Sequence, residues 1–150
     1  MPHSHSDILV HVIFSTKERR AAIADAFKER LFAYMSAIVK ERGGVAHLVN
    51  GTNDHVHMLI SVPTSMSTAD MMRFVKGSSS RWVHREIPGT RGFGWQTAYS
   101  VFSVSRSVFK QVHRYISRQE EHHRKASFKE EMIAFLRKHE IEYDDKYLWL

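Results

Sequence analysis

Two histidines, His55 and His57, stand two residues apart inside the run NDHVHMLISV, and this spacing limits the fold more than any other feature of the chain. Side chains along a β-strand alternate between faces, so a step of two sends both imidazoles to one side of a sheet. Val56 and Leu59 are expected on the opposite, core-facing side, leaving the histidines together on an open face. Paired neutral imidazoles suit a first-row divalent ion such as manganese, whereas magnesium fits where phosphate and water oxygens fill the shell. The plainer readings are a solvent-facing pair, or two histidines bonded to their neighbours. Asp54, just ahead of the pair, serves either to orient an imidazole or to make the turn.

The surrounding pattern predicts a small antiparallel sheet. Residues 9 to 15 read as a strand, and residues 20 to 41 carry a helical apolar pattern stopped by Gly43 and Gly44. Residues 45 to 50 and 55 to 62 form two strands around the turn GTND, and Pro63 closes the second. A helix is expected over 68 to 86, weakened inside by Gly77 and its serines, followed by the Gly-rich PGTRGFGW and a fourth strand near 97 to 104. After Ser105 the pattern is helical to about residue 119, and another helix covers 127 to 138. This order predicts an α+β, ferredoxin-like split βαβ fold of the RRM type, with two helices on one face of the sheet and C-terminal helices after it. Residues 1–150 read as one domain, and the closing EIEYDDKYLWL, with Tyr143, Tyr147 and Trp149, is expected to dock on a surface.

Tyr115 and Gln119, in VHRYISRQEEHH, are one helical turn apart and can address the same point in space. An aromatic residue on an amphipathic helix is ordinarily a core member, so the case for chemistry rests on the combination with the histidines. Gln119 can bring an amide oxygen to a third coordination position, and Tyr115 a hydroxyl beside the same ion. A phenol with a pKa near 10 is a poor nucleophile at neutral pH and needs an electrophile polarised by a metal. His122 and His123 follow as a further ligand, a phosphate contact or an ordinary basic helix end. His11, in the first strand, faces either this site or a helix.

The formal charge of +6, from 22 Lys and Arg against 16 Asp and Glu, favours a polyanionic partner without requiring one. Candidate DNA-binding cations are Lys17, Arg19, Arg73, Lys76, Arg81, Arg106 and Lys110, interspersed with Trp82, Phe93, Trp95 and Tyr99, which can stack on unpaired bases. The chain has no cysteine, which excludes disulfides and thiolate ligands and is compatible with a reducing cytosol. With no apolar stretch near eighteen residues, a membrane span is not expected.

Six segments together, HVIFSTKERR, NDHVHMLISV, MRFVKGSSSRW, GFGWQTAYSVFSVS, VHRYISRQEEHH and IEYDDKYLW, resemble the one-tyrosine HUH transposases of small bacterial insertion sequences, the TnpA-type, IS200-like single-strand DNA transposases. His55, Val56 and His57 match the histidine, bulky hydrophobic, histidine motif, with Asn53 where a proline commonly precedes the aspartate. The resemblance implies an enzyme dependent on Mg2+ or Mn2+ that cleaves and rejoins single-stranded DNA. His55, His57 and Gln119 would hold the ion, and Tyr115 would form a 5′-phosphotyrosine link. It further implies recognition of subterminal hairpins, a cytoplasmic, nucleoid-associated location, and a homodimer in which the tyrosine helix can serve the partner's histidines in trans. From the residues themselves, apart from the resemblance, Asp54, His122 and His123 are the candidates for a supporting shell. A host-retained endonuclease acting on repetitive hairpins, and a noncatalytic single-stranded nucleic-acid module on the same fold, are the alternatives.

Overall fold

The computed structural model describes residues 4–123 and 125–148. Four strands, β1 (Leu9–Ser15), β2 (Val45–Gly51), β3 (His55–Ser61) and β4 (Ser100–Ser103), form one antiparallel sheet in the order β2-β3-β1-β4. Helices α1 (Asp25–Glu41) and α2 (Thr68–Glu86) alternate with the strands, and α3 (Phe109–Ser117), α4 (Gln119–His122), α5 (Phe128–Lys138) and α6 (Asp145–Leu148) follow them. This α+β order is consistent with the ferredoxin-like arrangement that the sequence pattern predicts.

All seven residues of the central strand β1 are buried, which requires cover on both faces of the sheet. On one face Val10, Val12 and Phe14 of β1 and Val56, Met58 and Ile60 of β3 pack with Leu31, Met35, Met71 and Val75 from α1 and α2. On the other, Leu9 and Leu59 meet Ile116 of α3, while Ile13 and Phe102 meet Phe128, Met132 and Leu136 of α5. The face expected to be open is therefore closed by the C-terminal helices. Leu59 lies on the histidine side and not with Val56, because it stands two residues from His57 and the period of a strand is two. Phe128, Met132 and Leu136 recur every four residues, the stripe by which a helix docks on a sheet.

Element boundaries differ from the sequence reading where backbone groups are already committed. Helix α1 starts at Asp25 and not at residue 20, because the Ile23 amide donates to the Asn53 carbonyl at 2.9 Å, holding that segment extended beside the hairpin turn. Strand β4 is limited to four residues. The carbonyls of Gln96, Thr97 and Ala98 just before it accept hydrogen bonds from the Lys76 ammonium at 2.6, 2.9 and 3.3 Å. The helix expected through residue 119 breaks at Arg118 (φ −107°, ψ 28°), whose amide donates to the Tyr115 carbonyl. Leu148 packs beside the α5 cluster, whereas Ile141 and Tyr143 are exposed, and Trp149 lies outside the described residues. Among the described residues no helix is long and apolar enough to cross a membrane.

Candidate metal centre and tyrosine

The β2–β3 hairpin fixes the first histidine. A side chain at Gly51 would place its Cβ 2.1 Å from the His55 carbonyl oxygen, so glycine is required for the strands to close this tightly. Beyond the turn, His55 Nδ1 lies 2.8 Å from Asp54 Oδ1 and 2.9 Å from Thr52 Oγ1. An Nδ1–H donated to Asp54 leaves the Nε2 lone pair aimed at the centre of the site. Burial works to raise the Asp54 carboxyl, but the hydrogen bond and charge of His55 outweigh it and hold the group below its ordinary range. Asp54 therefore stands within hydrogen-bond reach of the His55 ring nitrogen that faces away from the site.

His57 is fully buried and sits between two partners. Its Nδ1 is 2.7 Å from His11 Nε2, and its Nε2 is 2.9 Å from Glu131 Oε1. Burial pushes the His57 imidazole down to about 4, in spite of the opposing pull of Glu131, so the ring is neutral at neutral pH. His11 is lowered in the same direction by burial and then by His57. The alternative left open for His11 is thus resolved toward the site face, where it can donate Nε2–H to His57 Nδ1 while His57 Nε2–H is given to Glu131, and can accept Nδ1–H from His57 when the Nε2 lone pair ligates a metal.

Tyr115 and Gln119 reach the same point from α3 and α4. Helix α3 is pinned by buried Ile116, whose carbonyl accepts from Asn50 Nδ2 of β2 at 2.8 Å. Gln119 is fully buried, its Oε1 lying 3.2 Å from His55 Nε2 and 3.1 Å from His123 Nε2. The Tyr115 ring lies 6.0 Å from that of His57 in the same chain, and its hydroxyl donates to Glu131 Oε2. Burial and the Glu131 charge raise the phenol above its ordinary value.

Glu131 is the residue that sequence reasoning missed. Its Oε1 lies 2.9 Å from His57 Nε2, 3.1 Å from His123 Nε2 and 3.6 Å from His55 Nε2, and its Oε2 lies 3.3 Å from His122 Nε2. Burial alone would raise this carboxyl, but hydrogen bonds from His123, His57 and Tyr115 hold it well below the usual range. A signal was present: an acid at position 131 falls inside the apolar stripe of Phe128, Met132 and Leu136, where an unpartnered carboxylate is costly. One ligand atom from each of His55, His57, His123 and Glu131 lies within 4.8 Å of the others. Three imidazoles, a carboxylate and the nearby Gln119 amide oxygen are a donor set that fits a first-row divalent metal.

The proposed DNA-binding cations do not converge in this way. Lys76 is half-buried and spends its ammonium on three carbonyls, and burial pushes it down to about 8. Arg106 pairs with Asp7 at 2.8 Å, Arg73 with Asp70 at 3.3 Å, and Arg81 donates to Ser78 at 3.3 Å. Lys17, Arg19 and Lys110 are exposed. Trp82 and Phe93 are buried in the α1/α2 core, with Trp95 and Tyr99 packed against it, so these aromatics form no stacking face beside the histidines.

The Transposase IS200 like family matches residues 4–119. Among curated proteins, the ISDra2 transposase TnpA of Deinococcus radiodurans is 25% identical over 114 residues, 73% of this chain and 81% of its own length. A transposase for insertion sequence element IS200 from Salmonella typhimurium is 24% identical over 125 residues, 79% of this chain and 81% of its own. Among solved structures, a Deinococcus radiodurans protein provisionally assigned as a transposase has a TM-score of 0.65 at 23% identity, covering 79% of this chain and 95% of that one. A REP-associated tyrosine transposase bound to a REP hairpin has a TM-score of 0.57 at 11% identity, covering 85% and 75%. His122, His123 and Glu131 lie beyond the matched segment, which ends on Gln119. With 4–119 of its residues matched and a cluster capable of holding a metal on the sheet face, the chain belongs to the IS200-like transposase family.

Proposed function

We propose that this chain, acting as a single domain over residues 1–150, cleaves and rejoins single-stranded DNA at insertion-sequence ends through a 5′-phosphotyrosine intermediate on Tyr115. The observation that carries the reading is the convergence of Tyr115, His55, His57 and Gln119 on one buried point, in a chain of this family. His55, His57 and Gln119 are the residues to hold Mg2+ or Mn2+, and the ion when bound polarises the scissile phosphate and offsets charge on its oxygens. Asp54 and His11 orient the two imidazoles, His123 offers its Nε2 to the same cluster, and His122 flanks the phosphate side. The Tyr115 oxygen forms a bond to phosphorus as the bond to the 3′ oxygen breaks. The phenolic proton passes by way of solvent to the departing 3′ oxygen, which leaves as a hydroxyl, so the step balances with no other reactant. One phosphodiester replaces another, so a second 3′-hydroxyl can reverse the step on a new strand without an external energy source.

The nearness of Tyr115 to the histidines of its own chain supports assembly of the site in cis, within a homodimer or without one. The hairpin held by the REP-associated structure supports a hairpin-ended substrate. It also favours a second reading with the same chemistry, a host-retained endonuclease acting on repetitive hairpins, in the cytoplasm and on the nucleoid. The test is a denaturing gel of single-stranded hairpin DNA from the ends of the element encoding the chain, with manganese or with EDTA. A covalent adduct that requires both the metal and Tyr115 is expected, and Tyr115→Phe abolishes it. A wild-type protein that binds the hairpin in manganese and never becomes linked to it would overturn the reading in favour of a binding module.

A further inference from the structure

We propose that Glu131 closes the metal site of the DNA-free protein as a displaceable ligand, and that the scissile phosphate must take its place. The inference rests on the metal assignment made under the proposed function and adds the step that regulates access to it. Donors bound to one ion at about 2.1 Å sit about 3.0 Å apart as octahedral neighbours and about 3.4 Å apart as tetrahedral ones. Glu131 Oε1 stands at 2.9, 3.1 and 3.6 Å from the Nε2 atoms of His57, His123 and His55, and Gln119 Oε1 at 3.2 and 3.1 Å from those of His55 and His123. Five of the ten separations among these donors therefore already lie in the range of neighbours around one ion, and the four His and Glu ligand atoms all fall within 4.8 Å of one another.

A sphere filled by protein donors is the mark of a structural site, whereas chemistry needs a position open to substrate. Glu131 is the donor built to yield. His55 and His57 are fixed in β3, and Gln119 is buried at the start of α4, but Glu131 comes from α5, outside the matched residues 4–119. Its two oxygens also face two ways. Oε1 addresses the imidazoles, and Oε2 takes the Tyr115 hydroxyl and lies beside His122. A phosphodiester is likewise an anion that offers one oxygen to the metal donors while its phosphorus lies before the tyrosine. Glu131 thus occupies the substrate's position and holds the Tyr115 hydroxyl in a hydrogen bond. A cleft of about 570 Å³ lined by Tyr115, His122, Glu131, Phe135 and Lys138 lies next to it, giving the carboxylate room to withdraw and the strand a way in.

The test measures metal binding apart from cleavage. Manganese is titrated calorimetrically into the full-length DNA-free protein, as wild type, Glu131→Ala, the isosteric Glu131→Gln and His57→Ala, each checked for folding by circular dichroism. Loss of Glu131 should weaken manganese binding about tenfold, on the scale of losing one supporting group at a metal site, and should alter the visible absorption of the Co2+-loaded protein. In a Tyr115→Phe background, a single-stranded hairpin should shift the Co2+ spectrum and should bind more tightly once Glu131 is also replaced. Unchanged manganese affinity and Co2+ spectrum in both Glu131 variants, with binding lost in His57→Ala, would overturn the proposal and leave the metal reading intact. Binding unchanged in His57→Ala would instead overturn the metal reading beneath it. A hairpin that binds without moving the Co2+ spectrum also defeats displacement.

Discussion

The two faces of the sheet are built from the same strands and solve burial differently. The face under α1 and α2 is a continuous apolar core in which Val12, Val56, Met58 and Ile60 have no accessible surface. The face under α3 and α5 has two small apolar groups, one around Leu59 and Ile116 and one around Ile13 and Phe128, with His11, His57 and Glu131 buried among them. Among the described residues no buried side-chain nitrogen or oxygen lacks a hydrogen-bond partner, so the second face is held by mutual satisfaction of polar groups as well as by packing. The first face can be judged by volume alone. The second carries a network whose members can be exchanged for an ion or a phosphate.

Adjacent residues of β3 offer the largest contrast. Met58→Ala, on the apolar face, should cost about 2–5 kcal/mol of stability through lost burial and the cavity left behind. Manganese should still raise its Tm. His57→Ala, one residue away on the other face, should fold, and its Tm should no longer respond to the metal. In wild type a hundredfold excess of metal over Kd stabilises by about 2.7 kcal/mol. Thermal unfolding with and without manganese separates the two, and a His57→Ala protein stabilised as strongly as wild type would erase the distinction between the faces.

The contrast also explains what could be read from the sequence. Strand β1, the hairpin, α2 and the βαββαβ order follow from local periodicity and turn residues, and His55, Tyr115 and Gln119 follow from spacing within single segments. The cover over the histidine face does not, because it depends on α5 reaching back across the sheet, a contact between residues such as Ile13 and Met132 that no local pattern encodes. Glu131 was hidden for the same reason, since an acid on a helix reads as solvated until its neighbours are known. Assigning Leu59 to the core side was an error of parity that the two-residue period itself corrects.

Proton uptake gives a smaller effect confined to the polar face. The His57 imidazole is lowered from 6.5 to about 4 in the folded chain, so between those values the unfolded state binds more protons and stability rises with pH. The contribution is fully present above about pH 6.5 and is lost as the pH falls toward 4. Metal-free protein should therefore show a Tm that declines across this window, and His57→Gln should flatten the decline, while Met58→Ala lowers the whole curve without changing its slope. A wild-type Tm that does not change from pH 6.5 to 4 would refute the burial of a neutral imidazole here.

The smallest expected effects concern two lysines of similar sequence character and different surroundings. Lys110 is exposed at the start of α3, five residues before Tyr115, whereas Lys76 is committed to the carbonyls of residues 96–98 on the α2 side. Each phosphate contact on a single strand contributes about 0.7 to the slope of log affinity against log salt. Lys110→Ala should reduce that slope for hairpin binding by about this amount and leave the Tm unchanged. Lys76→Ala should leave the slope unchanged and lower the Tm, because three carbonyls lose their donor. If the salt slope responds to Lys76 and not to Lys110, the strand lies along the α2 side of the sheet, and the division between a packing face and a reacting face would have to be redrawn around the 96–98 segment.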